Sequence, residues 1–267
     1  MSVDGVEYYV KRVGKGEAVV LLHGFTGNHA TWSETAYLLS KSYQCIMIDL
    51  LGHGKSDSPH EVERYSFESC VQDIQRILCE LGIEKTHIIG YSLGGRLALG
   101  FAVMFPSMIS SLILESTSPG LQTEQERSLR REDDENLAWK IRHKGLSWFV
   151  DYWENIPLFQ SQKSLPQSSQ LKIRRQRLSN NLNGLRNSLL GMGTGRQPSY
   201  WGDLSKLSFP VFLMAGRLDE KFCSIARKMN NHLLYGSLCQ VENAGHAIHV
   251  EQSQKFGTIV EEFLFNT

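Results

Sequence analysis

Residues 86–96, Thr-His-Ile-Ile-Gly-Tyr-Ser-Leu-Gly-Gly-Arg, constrain this chain more than any other stretch. A short apolar run enters Gly90-Tyr91-Ser92-Leu93-Gly94, and helix formers follow from Leu97 to Phe105. A Gly-x-Ser-x-Gly set between a strand and a helix is the context of a nucleophile elbow, a sharp turn that lifts a serine clear of the backbone. Gly90 and Gly94 omit β-carbons where that turn is most crowded. The helix starts behind Ser92, so its free N–H groups and the positive end of its dipole face the serine. In a chain with 23 glycines the five-residue pattern alone says little, and an idle serine on a glycine-rich turn is the competing reading. Its place between strand and helix is what gives it meaning.

The flanking sequence alternates in the same way. Residues 6–12 read as a first strand. Residues 18–22 are continuously apolar, as a parallel strand covered on both faces requires, and end in His23-Gly24-Phe25-Thr26-Gly27. Residues 32–39 read as a helix and 44–48 as the next buried strand. Ser66 is positioned to cap an amphipathic helix through Leu81, with Gly82 as its stop. Residues 111–114 are a further strand. Between 118 and 200 no buried-strand run occurs, and the segment holds 13 Lys/Arg against 8 Asp/Glu, leaving −5 for the rest of the chain. Strand–helix alternation returns with residues 211–215, 224–231, 238–241 and 253–265. The expectation is a mostly parallel sheet flanked by helices, with residues 1–117 and 201–267 as its core and 118–200 as a helical lid over the strand ends.

Composition removes several function classes. A chain of 267 residues, 41% hydrophobic, is long enough to bury a large core. Its 28 Lys+Arg balance 28 Asp+Glu, so no global field draws in nucleic acid or a membrane, and neither is expected as a partner. The five cysteines are odd in number, form no C-x-x-C pair and sit mostly in apolar segments. Together with the lack of a basic and apolar leader in the first residues, they lead us to expect reduced thiols and a cytoplasmic location. Either a monomer or a small homo-oligomer is compatible with these features.

A reactive Ser92 needs an imidazole, and the imidazole needs a carboxylate to hold its tautomer. On an elbow scaffold these follow in the order serine, acid, histidine. Asp219 lies in the loop after the apolar run 211–215, with Glu220 as a rival acid and helix capping as an alternative role for Asp219. His246 follows in Ala244-Gly245-His246, where capping the last helix is the alternative. The oxyanion-binding amides are expected from Leu93 and from Phe25 in the His-Gly-Phe loop. His53, between Gly52 and Gly54, reads as structural. His232 and His249 lack partners at metal-ligand spacing, so no metal site and no cofactor are expected. Arg96 follows Ser92 by four residues on the elbow helix, within reach of the same pocket. With Arg130 and Arg177 from the lid it favours an anionic substrate, because arginine grips carboxylates bidentately.

These motifs together resemble one family. The α/β-hydrolase fold is implied across nearly the whole chain by His-Gly-Phe, Gly-x-Ser-x-Gly and the Asp and His loops. The closer resemblance is to the MenH family of menaquinone biosynthesis, the 2-succinyl-6-hydroxy-2,4-cyclohexadiene-1-carboxylate synthases. It rests on Gly90-Tyr91-Ser92-Leu93-Gly94-Gly95-Arg96, on residues 114–121 (Leu-Glu-Ser-Thr-Ser-Pro-Gly-Leu), and on residues 153–159 (Trp-Glu-Asn-Ile-Pro-Leu-Phe). Residues 177–181 (Arg-Leu-Ser-Asn-Asn) and 245–249 (Gly-His-Ala-Ile-His) complete it. The resemblance implies a triad of Ser92, Asp219 and His246, with Tyr91, Arg96, Arg130, Trp153 and Arg177 around the carboxylates of a small polycarboxylate substrate. Arg127 and Arg131 are rivals of Arg130. It implies a lyase that eliminates pyruvate without a cofactor. A serine hydrolase of a small carboxylate-bearing substrate and a non-catalytic ligand sensor are the competing functions, since one fold serves many.

Overall fold

A computed structural model describes residues 1–267. A two-stranded ribbon, β1 (Ser2–Val3) and β2 (Val6–Glu7), precedes the main sheet. The sheet holds β3 (Val10–Val13), β4 (Glu17–Leu22), β5 (Tyr43–Ile48), β6 (Thr86–Tyr91), β7 (Ile109–Glu115), β8 (Val211–Gly216) and β9 (Gly236–Val241). Its order is β3-β5-β4-β6-β7-β8-β9, parallel except for the antiparallel edge pair β3 and β5. The single strand expected over residues 6–12 is therefore two. The chain turns at Asp4 and Gly5, both at positive φ, so that Val6 pairs back on Val3, and only from Val10 does it join the large sheet.

Helices α1 (Ser33–Leu39) and α9 (Ser253–Phe265) cover one face of the sheet. On the other lie α2 (Phe67–Glu80), α3 (Leu93–Met104) and α7 (Glu220–Asn230). The period-two alternation of a strand sorts its residues between them. In β4, Val20 and Leu22 join α2 and α3, while Val19 and Leu21 join Trp32 of the first helical turn and Phe256 of α9. Each such fully buried aliphatic side chain contributes roughly 1.5–3 kcal/mol. Ser66 caps α2 by accepting from the Ser69 amide, and Gly82 at φ 70 stops it.

Between β7 and β8 the chain holds only helices: α4 (Glu124–Trp153), a 3-10 stretch Pro157–Ser164, α5 (Gln167–Leu178) and α6 (Leu182–Met192). Thr123 and Glu126 close a capping box at the start of α4, and Gly145 at φ 85 breaks it. Ile141, Phe149 and Val150 of α4 pack on Leu185 and Leu189 of α6, giving the insertion a small core of its own. Asn180 ties it to the sheet ends: its side-chain amide donates to Thr26 O at 2.9 Å and its carbonyl accepts from Gly54 N at 3.1 Å. The chain crosses from β5 to β6 on opposite sides of β4, so the carboxyl ends of β4 and β6 form a switch point, where open α/β sheets bind ligands. The remaining short helix, α8 (Ile248–Glu251), lies just after β9 at the same end.

Candidate active site

Ser92 sits between β6 and α3 at φ 50 and ψ −107, a conformation that costs a non-glycine residue about 1–3 kcal/mol. The surroundings hold it there. Ser92 N donates to Glu115 O at 2.9 Å and Thr117 Oγ1 donates to Ser92 O at 2.9 Å. A β-carbon on Gly90 would lie 2.6 Å from Gly94 O, and one on Gly94 would lie 2.2 Å from Leu22 O. The elbow therefore closes only with glycine on both sides of the serine.

His246 brings Nε2 to 3.1 Å from Ser92 Oγ and Nδ1 to 2.7 Å from Asp219 Oδ2. Since the carboxylate can only accept, Nδ1–H donates to it and Nε2 is left to accept from the serine hydroxyl. The ring is buried at 1% exposure among Phe222, Tyr91 and Phe159, with centroids 4.7, 5.3 and 5.9 Å away. Asp219 performs both roles open to it in the sequence: Oδ1 accepts from Phe222 N and caps α7, while Oδ2 faces the imidazole. Glu220 is exposed at the rim and takes no part in this pairing.

A cavity of about 1040 Å³ opens in front of Ser92, walled by the sheet ends and the insertion. Phe25 and Leu93 line it beside the serine, as do Arg96, Arg130 and Trp153. Arg127 and Arg131 turn away, paired with Glu124 and with the carbonyls of Leu121 and Gly195, so of the three neighbouring arginines Arg130 faces the cavity. Arg96 donates to Met192 O at 2.9 Å and to Gln197 Oε1 at 3.5 Å, both neutral acceptors. Burial, aided by the Arg130 charge, lowers its pKa to about 9, with Asp134 opposing. Arg130 Nε donates to Asp134 Oδ1 at 2.9 Å, and the other carboxylate oxygen of Asp134 is buried without a partner.

Two candidate residues stand apart from the large cavity. Tyr91 and Arg177 line a separate hollow of about 50 Å³ with His249 and Gln162. Arg177 is 6% exposed, donates to Gln162 Oε1 at 3.1 Å and lies 4.7 Å over the Phe159 ring. Phe159 packs against both the Arg177 guanidinium and the His246 ring, and so links the small hollow to the triad. Burial lowers the Arg177 pKa and raises that of Tyr91. His53 is buried with its ring edge-on to Phe25, and its Nδ1–H donates to Leu51 O at 3.0 Å; burial lowers its pKa to about 3. No group of three or more His, Cys, Asp or Glu side chains is arranged to hold a metal ion.

Residues 17–253 match the α/β hydrolase fold family. A Bacillus subtilis (strain 168) protein is 48% identical over 98% of this chain and 96% of its own length. It carries the name 2-succinyl-6-hydroxy-2,4-cyclohexadiene-1-carboxylate synthase provisionally. A protein of Salmonella newport (strain SL254) with that synthase name outright is 32% identical over 88% of both chains. The chain belongs to this synthase family of α/β hydrolases. The solved structure of MenH from S. aureus superposes with a TM-score of 0.92 at 37% identity, over 97% of this chain and 98% of that one. A malate-bound thermophilic esterase from Thermogutta terrifontis reaches 0.85 at 25% identity, over 99% of this chain and 96% of that one.

Set within this synthase family, several residues at the site make contacts that no sequence motif specifies. Arg217 and Lys221 also line the cavity, and their place two residues either side of Asp219 was the available signal. Asp134, one of four consecutive acids at residues 132–135, is the one that meets Arg130. His249 forms a second histidine–acid pair: its Nδ1–H donates to Glu115 Oε2 at 2.8 Å, and its Nε2 accepts from Thr31 Oγ1 at 2.9 Å. It lies against Tyr91, 4.7 Å between centroids, behind the elbow.

Proposed function

We propose that this chain is a carbon–oxygen lyase that eliminates pyruvate from 2-succinyl-5-enolpyruvyl-6-hydroxy-3-cyclohexene-1-carboxylate, giving 2-succinyl-6-hydroxy-2,4-cyclohexadiene-1-carboxylate. One observation carries it: an assembled Ser92–His246–Asp219 array opens on a cavity that Arg96 and Arg130 also line. Its 48% identity to the Bacillus subtilis protein supports the same assignment.

Ser92 Oγ, its proton drawn by His246 Nε2, takes the acidic ring proton beside the succinyl carbonyl. The C–H electrons enter the carbonyl as an enolate, whose oxygen is held by the amides of Phe25 and Leu93. The enolate then collapses through the ring alkene, the diene forms, and the carbon–oxygen bond to the enolpyruvyl group breaks. The enolate that leaves takes up a proton and becomes pyruvate. Asp219 holds His246 in the tautomer that can accept, and balances its charge once it does. Each substrate carboxylate removed from water needs a cationic partner, which Arg96 and Arg130 supply, with the insertion acting as a lid. Arg177 packs on Phe159 and Tyr91 on His246 itself, so both back the triad from outside the cavity, which Trp153 lines. No step calls for a metal or an organic cofactor.

The same array would also serve ester hydrolysis, as the likeness to the Thermogutta esterase illustrates. Purified protein given the enolpyruvyl substrate should release pyruvate and develop the conjugated-diene absorbance together, and should turn over a neutral aryl ester poorly. Brisk ester turnover without pyruvate would transfer the assignment to the hydrolases.

A further inference from the structure

The loop carrying His246 is gripped from two sides by groups with no part in the proposed chemistry. From below, the Glu251 carboxylate at the end of α8 folds back on the loop. Gly245 N donates to its Oε2 at 2.7 Å and Ala247 N donates to its Oε1 at 3.3 Å. These amides belong to the residues before and after His246, so one carboxylate fixes the Ala244–Gly245 and His246–Ala247 peptide planes, the second of which starts at the histidine itself. From above, the 3-10 stretch Pro157–Ser164 of the insertion sits on the same loop. Phe159 meets the His246 ring edge-on at 5.9 Å. The Ser161 hydroxyl is buried without a hydrogen-bond partner, and it fills the place a side chain on Gly245 would take. A β-carbon there would lie 2.0 Å from Ser161 Oγ, 2.8 Å from Ser161 Cβ and 3.1 Å from Glu251 Oε2.

A buried carboxylate is costly unless its bonds repay the lost hydration. Burial raises the Glu251 pKa, while the Gly245 and Ala247 amides counter it. The acid makes no ion pair, and both oxygens go to the amides beside His246, so its bonds act on that residue. We infer that Glu251 is a positioning residue for His246, and that the contact of Ser161 with Gly245 makes the setting of the histidine depend on how the insertion is seated. The imidazole would hold its 3.1 Å approach to Ser92 only while both grips are in place. A base displaced by about 1 Å loses on the order of 10²-fold in rate, so a contact that touches none of the reacting atoms can govern turnover.

This inference rests on the triad reading, and its test is chosen to be independent of the natural substrate. Labelling of Ser92 by a small fluorophosphonate requires an aligned His246 but no elimination. Glu251→Gln keeps the shape but presents an amide N–H₂ to one of the two backbone N–H groups. It should slow labelling by about tenfold or more and lower kcat for pyruvate release in parallel, with KM within about twofold. Gly245→Ala should do the same by pushing Ser161 off its seat. Adding Ser161→Gly to Gly245→Ala reopens that space and should restore most of the loss. If Glu251→Gln fails to fold, Glu251→Asp, which keeps the charge but shortens its reach to the two amides, should slow labelling in the same way, and labelling at the wild-type rate would overturn the positioning role. Labelling of Glu251→Gln at the wild-type rate, even with a lowered melting temperature, would make Glu251 merely structural. A double variant no faster than Gly245→Ala would remove the insertion from the account. If wild type labels readily but releases no pyruvate, the lyase reading fails while the positioning test still stands.

Discussion

The two ends of the cavity are built on opposite principles. At the triad end the reacting groups already hold their partners. Ser92 faces His246, His246 faces Asp219, and the strained elbow is tied by Glu115 O and Thr117. At the arginine end charge is left unbalanced. Arg96 meets only neutral acceptors, Arg130 shares one oxygen of Asp134, and the other oxygen of that carboxylate has no partner. Under the proposed function, a finished array beside unbalanced charge is a site whose chemistry is preset and whose selectivity comes from the ligand's own anions. Proteins accept elbow strain and buried guanidinium because each is put to use at the site.

The sharpest contrast comes from removing one group at each end. Ser92→Ala should lower pyruvate release by about 10³-fold or more while leaving the dissociation constant within a few-fold, measured by rapid quench and calorimetry. Asp219→Asn should come close behind, since the equivalent change in a serine protease triad lowers kcat roughly 10⁴-fold. Glu220→Gln should be near wild type, and the reverse result would exchange the two acids.

At the other end, Arg96→Ala should cost about 2–5 kcal/mol in kcat/KM for the carboxylate substrate, because it leaves a desolvated charge unpaired. Arg130→Ala should cost less, since its side chain is 38% exposed and water and salt screen it. Neither should alter turnover of a neutral aryl ester. Equal losses on both substrates would mean that the arginines support the fold instead of the ligand.

The smallest effect is on stability. The His53 pKa is about 3 in the folded chain, against an ordinary value near 6.5, and burial also lowers that of His23. Between those values the unfolded chain binds the extra proton, so stability should fall as pH drops from about 6.5 toward 3. His53→Asn, whose amide can still donate to Leu51 O, should flatten the melting temperature against pH in that range. An unchanged slope would place the acid sensitivity elsewhere.

The fold was legible because its signals are local. Buried parallel strands read as apolar runs, and α9 read correctly to the residue from its period alone. The break between β2 and β3 did not, because residues 6–12 look continuous in strand propensity while their pairing changes partner, Val6 going back to Val3 and Val10 on to β5. The same divide runs through the site. Ser92, Asp219 and His246 stand in loops after apolar strands, where order along the chain implies convergence. Which lid arginine faces the cavity is decided by Glu124, Leu121 and Gly195 drawing Arg127 and Arg131 aside, a competition that spacing does not encode. The withdrawal of Arg177 behind Phe159 is likewise a packing outcome. Glu251 escaped notice because an acid six residues beyond Gly245 acquires its role only when α8 turns back on the loop.

The central claim is that the triad acts as a base in an elimination, not as a nucleophile in a hydrolysis. Single-turnover kinetics with substrate deuterated at the ring carbon beside the succinyl carbonyl, with intact-protein mass spectrometry at each time point, tests it most directly. A triad acting as a base should give slower pyruvate release from the deuterated substrate and unmodified protein at every time point. An acyl-Ser92 adduct that forms and decays at the rate of turnover, with no isotope effect, would contradict it.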